Sequence, residues 1–72
     1  MKRIEYKETA DCNCLILDEV EKLWKGKDKP DFLMETSMSD GISTIHIPDK
    51  DVNFSEGDVL VFTEDDVYVG QN

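Results

Sequence analysis

Apolar and polar positions alternate at the start of the chain. In "KRIEYKE", Ile4 and Tyr6 stand against Arg3, Glu5 and Lys7, which predicts a half-buried strand. The next stretch, "DCNCLILDEVEKLWKGKDKP", carries two patterns at once. Ile16, Val20, Leu23 and Trp24 fall on one helical face, with Asp18, Glu19, Glu21, Lys22 and Lys25 turned to water. Asp11 or Asn13 would cap such a helix, Gly26 would end it, and the lysines would suit its C-terminal dipole. The run "CLIL" also reads as a buried strand. The balance is set slightly toward a strand at Cys14–Asp18, followed by a helical turn or loop.

Beyond Pro30 the pattern is that of strands and turns. In "DFLMETSMSDGISTIHIP", Asp40-Gly41 predicts a two-residue hairpin turn of type I′. Pairing outward from it sets Met38 against Ser43, Thr36 against Ile45, and Met34 against Ile47. Phe32, Met34, Ile45 and Ile47 would face the core; Leu33, Glu35, Thr44 and His46 would face away, with Glu35 directly across from His46. Pro48 ends the strand, and "DKDVNFSEG" reads as a polar connector with a turn at "PDKD". In "GDVLVFTEDDVYVG" two apolar runs flank an acidic turn. Leu60, Phe62, Val67 and Val69 share one face, and Val59, Val61 and Tyr68 the other, so the hairpin is expected to be central or covered by the Trp24 region. Gly57 and Asp58 mark a bend, the glycine taking positive φ and the aspartate bonding local backbone.

The expected fold is mainly β: a small bent antiparallel sheet or an SH3- or OB-like barrel of roughly five or six short strands, with a helix or helical turn within residues 15–25. An α+β arrangement is the alternative. Residues 1–72 are expected to form a single small domain whose core is so limited that a homodimer would relieve it; monomer and homodimer both stay open.

Charge narrows the partners. The net charge is −9, and residues 31–72 hold ten acids against Lys50 alone. Such a half repels phosphate backbones and anionic lipid heads, so direct nucleic-acid binding through it is not expected, while a basic protein would be attracted. The same acids also serve solubility. The basic start is followed by no apolar run, and no window is long and apolar enough to span a membrane. Cys12 and Cys14 are too close for an unstrained bridge, so free thiols and a cytoplasmic setting are expected.

Chemistry-bearing patterns are sparse. "DKDVNFSEG" places Asp49, Asp51, Asn53 and Ser55 at alternating positions, like the first ligands of an EF-hand calcium loop. The match fails at Phe54, where glycine is required, and at Leu60, where a bidentate glutamate belongs. Cys12, Cys14 and His46 lack a fourth donor for tetrahedral zinc. One histidine and scattered serines supply no nucleophile–base–orienter set, and Asp65-Asp66 sits in a polar turn that would not raise a carboxyl pKa. No enzyme activity and no cofactor is expected. Trp24 among lysines, and the outward Val59, Val61 and Tyr68, are the candidates for contact with a protein; for Trp24 a place in the core is favoured.

"DGISTIHIPDKDVNFSEGDVLVF" resembles a family of very small, uncharacterised bacterial β-barrel-like proteins. The matching positions are Gly41, Ile47, Pro48, Glu56, Gly57, Asp58, Val59 and Leu60, and "VEKLWKGKDKPD" departs from the pattern. The resemblance implies a small β module and no activity. The expected function is therefore a non-catalytic interaction or accessory module that binds a protein. The alternatives are an acidic mimic of nucleic acid that inhibits a basic DNA- or RNA-binding protein, or a weak calcium-binding module.

Overall fold

The structure, a computed structural model, describes residues 1–70. In chain order the elements are β1 (Lys2–Glu5), α1 (Ala10–Lys22), β2 (Met34–Thr36), β3 (Ser43–His46), β4 (Asp51–Phe54), β5 (Val59–Phe62) and β6 (Val67–Gly70). The six strands form two antiparallel sheets of three, in the orders β1-β5-β6 and β2-β3-β4. The mainly β expectation holds. The sheets do not close into a barrel, and one helix accompanies them.

The helix replaces the strand expected at Cys14–Asp18. Thr9, rather than Asp11 or Asn13, is the N-cap: its hydroxyl accepts the Cys12 N–H at 3.1 Å. Asp11 lies in the first turn and Lys22 in the last, both favourable to the helix dipole. Cys12, Ile16 and Val20, spaced four apart, are buried, whereas Leu15 is half exposed. A buried strand would have needed cover on both faces of "CLIL". The helix needs cover for one stripe only, which the two sheets provide. After Leu23 the chain turns at Lys25 and Gly26, both with positive φ. The irregular segment that follows is held by the pairs Lys25–Asp65 and Lys29–Glu21, the latter at 2.6 Å.

The β2–β3 hairpin keeps the expected parity but slips two residues. Met34 pairs with Ile45, Glu35 with Thr44, and Thr36 with Ser43. The type I′ turn does not form. Met38–Gly41 make a four-residue loop closed by Ser37 N–H to Ile42 O at 2.8 Å; Gly41 has φ 73°, and Asp40 does not share it. Asp40 instead accepts the Ile42 N–H through its side chain, which holds its carboxyl below the usual range. Because the slip is even, Ile45 remains buried. At the start of the hairpin the expectation reverses. The chain bends at Leu33, turning that side chain into the core and leaving Phe32 54% exposed.

The stretch read as a polar connector contains β4, in which Val52 and Phe54 point inward and Asp51 and Asn53 outward. Pro48-Asp49 forms the link, closed by Ile47 N–H to Lys50 O at 3.1 Å. The bend at Gly57 is as expected: φ is 96°, and the Asp58 carboxylate accepts the Ser55 N–H at 2.9 Å. The bend is also tied to β1, since Tyr6 N–H bonds Asp58 O at 2.8 Å and Gly57 N–H bonds Tyr6 O at 3.0 Å.

One cluster of buried side chains joins both sheets and the helix: Ile4 and Tyr6, Cys12, Ile16 and Val20, Ile45 and Ile47, Val52 and Phe54, Leu60, Phe62 and Val67 among them. Tyr6 meets Phe54 edge to face at 4.8 Å. Its fully buried hydroxyl bonds Ser43 at 3.1 Å, and Ser43 meets Thr36 at 3.2 Å, a polar chain that runs from the first sheet through the second toward the surface. Trp24 packs partly buried against this core, and its indole N–H is enclosed without a partner among the described residues.

Candidate functional site

Two outward sheet faces carry the side chains of interest. On β2-β3-β4 the rows Glu35–Thr44–Asn53 and His46–Asp51 point away from the core. His46 is the hub. Its Nε2 lies 2.9 Å from Glu35 Oε2, and its Nδ1 lies 2.9 Å from Asp51 Oδ1. A neutral imidazole has one N–H and cannot donate to both carboxylates; the imidazolium can. Glu35 first, and Asp51 second, hold the His46 pKa above its ordinary value. The Phe32 ring stands edge-on to the imidazole at 5.7 Å. The histidine thus ties all three strands together and brings Phe32 over them.

Glu35 was expected directly across from His46. After the two-residue slip it lies diagonal, and a long side chain still spans that distance. Asp51 was not foreseen as a partner. The signal was present: with Pro48-Asp49 as the link, His46 falls opposite Asp51, and Val52 and Phe54 alternate with Asp51 and Asn53 as strand residues do.

The calcium candidates are dispersed by β4. Asp51 and Asn53 sit on an extended strand, where residues two apart are roughly 6.6 Å distant along the chain. Asp51 is engaged by His46, Asn53 accepts from Thr44 at 2.8 Å, Ser55 bonds Asp58, and Asp49 lies in the preceding turn. Among the described residues no group of three or more histidine, cysteine, aspartate or glutamate side chains is placed to hold one metal ion. Cys12 is buried, its thiol against Glu5 O at 3.6 Å, and Cys14 is exposed on the far side of the helix.

On β1-β5-β6 the outward rows are Arg3–Val61–Tyr68 and Glu5–Val59–Gly70. Val61 is enclosed between its row neighbours, Val59 is half-buried, and Tyr68 is 40% exposed. Val69, expected to be buried beside Leu60 and Phe62, is 39% exposed, because β6 is an edge strand and cover ends before its last turn of pleat. Trp24 belongs to the edge of the core and not to this face. A third feature lies between α1 and the approach to β2: a groove of about 260 Å³ lined by Leu17, Glu21, Lys29, Phe32, Leu33 and Met34, among others.

No helix among the described residues is long and apolar enough to cross a membrane. Comparison with protein families, with curated proteins and with solved structures finds no match.

Proposed function

We propose that the chain is a non-catalytic β module that binds a protein through the outward face of the β5–β6 hairpin. One observation carries the reading: on the face turned away from the core Tyr68 stays 40% exposed and Val59 half-buried, with Val61 packed between its row neighbours. A domain this small has few large side chains to fill its interior. A partly open tyrosine beside a half-buried valine on the outward side of a strand pair suits a protein contact. The His46 cluster supports the same reading. An imidazolium clamped at both nitrogens has no free position from which to take a proton.

The test starts from a partner captured with the tagged chain in its own host and re-measured with purified components. Tyr68→Lys is expected to weaken the complex at least about tenfold while circular dichroism and Tm stay unchanged. Binding should persist between about 50 and 500 mM salt. Association that vanishes at high salt and ignores Tyr68→Lys would instead identify an acidic mimic seated in a basic site. Turnover of a hydrolase substrate panel that disappears in His46→Ala would overturn the non-catalytic reading.

A further inference from the structure

The four sheet edges are not equivalent. β4 and β6 run close to each other without pairing, so each shields the other. Along β1 the Glu5 carbonyl accepts the Cys12 thiol, and Lys2 reaches Glu19 at 3.3 Å, so α1 guards that edge. β2 has no such cover. The bonds His46 N–H to Leu33 O and Ser37 N–H to Ile42 O fix which residues of β2 and its two flanks turn their backbone toward β3: Leu33, Glu35 and Ser37. Met34 and Thr36 therefore aim their N–H and C=O groups outward, and no partner meets them among the described residues. Beside this edge lies the groove whose apolar wall is Leu17, Met34 and the 54% exposed Phe32.

Charge selects the occupant. Lys29, the one cation lining the groove, is paired with Glu21 at 2.6 Å. Asp31 has no ion-pair partner among the described residues. The Glu35–His46–Asp51 cluster retains one net negative charge even with the histidine protonated. A second copy of this chain is a poor occupant. Bonding Met34 to Thr36 of the copy in both directions sets Glu35 opposite Glu35, and both chains carry −9.

We infer that the free edge of β2 accepts an extended, basic peptide segment as a fourth strand of the β2-β3-β4 sheet, with an apolar side chain of that segment seated against Phe32, Met34 and Leu17. This surface is separate from the β5–β6 face. Backbone bonds from Met34 and Thr36 give the affinity, and the acids on the rim give the preference for lysine or arginine.

The probe is a peptide of about ten residues alternating lysine and valine, titrated calorimetrically into the intact chain. Saturable binding is expected, with slowed amide exchange at Met34 and Thr36. Methylating alternate peptide nitrogens removes the strand donors but keeps the charge, and is expected to weaken binding at least about tenfold in one of the two phases. Exchanging lysine for glutamate is expected to abolish it. Thr36→Pro deletes an outward N–H and no ladder bond, so it should also block the peptide. Should that variant not fold, the methylated peptides on the unaltered chain decide alone. Tyr68→Lys should leave the peptide's affinity unchanged, which separates failure here from failure of the β5–β6 reading. Equal binding of methylated and unmethylated peptides, equal binding of the glutamate peptide, or no saturation would overturn the inference. So would a homodimer that Thr36→Pro dissolves.

Discussion

His46 makes the stability of this protein fall as pH rises through the range in which the folded histidine gives up its proton. Both ring nitrogens face carboxylates at 2.9 Å, so the folded state favours the imidazolium and the folded pKa is raised. In the unfolded chain the histidine returns to about 6.5. A group whose folded pKa lies above its unfolded value stabilises fully below the unfolded value. That contribution is lost as pH rises through the folded pKa. The window therefore opens at about pH 6.5 and extends upward. The size follows from exposure. The His46 side chain is 28% exposed, Glu35 58% and Asp51 60%, so each contact belongs with surface ion pairs of about 0.2–1 kcal/mol and the two together contribute about 1 kcal/mol. For a domain of this length that corresponds to a fall in Tm of about 4–8 °C across the window. Thermal unfolding from about pH 5.5 to 9 would measure it. The chain has one histidine, so its proton resonance titrates without ambiguity. The difference between the unaltered chain and His46→Gln isolates the contribution of the histidine from that of every other group. Glu35→Gln and Asp51→Asn should each lower the His46 pKa and flatten the curve in part. A His46 pKa at or below the ordinary value, or identical pH slopes in His46→Gln, would refute the imidazolium clamp.

Two further outcomes test the local structure. Thr9→Ala removes the oxygen that caps α1 and should lower stability by about 0.5–2 kcal/mol in urea unfolding, while Asp11→Ala and Asn13→Ala should each cost less than that cap. Gly57→Ala should cost about 1–2 kcal/mol, since nothing lies within 4 Å of the added carbon and the whole effect comes from φ 96°; Gly26→Asn, at φ 82°, should cost less, because asparagine tolerates left-handed backbone.

The residues show plainly where the alternation of apolar and polar positions met few rivals. The inward set Ile4, Tyr6, Ile45, Leu60, Phe62 and Val67 is buried, and the bend at Gly57-Asp58 has the expected glycine conformation and aspartate bond. "CLIL" failed as a strand because a four-residue apolar run fits either element, and Thr9 is one of three capping residues, with Asp11 and Asn13, within five positions. The hairpin register failed because Asp40-Gly41 suits a two-residue turn and a longer loop alike; the even slip hid the error from the burial pattern of Ile45. Of the outward site, Glu35 with His46 was legible. Asp51 was not, because polar residues dominate the stretch after Pro48 and its apolar alternation is carried by Val52 and Phe54 alone.

By itself the sequence determined the mainly β composition of the fold, the inward and outward sides of β3 and β5, the excess of acid in residues 31–72 and the bend at Gly57, because each rests on composition or on neighbours two to four residues apart. Only the tertiary structure decided that "CLIL" is helical, that His46 is held from both sides, that Phe32 is outside while Leu33 is inside, and that β2 is the edge left open. These depend on which element arrives to cover another, and α1 and the two sheets supply that cover across long stretches of chain whose local patterns do not refer to one another.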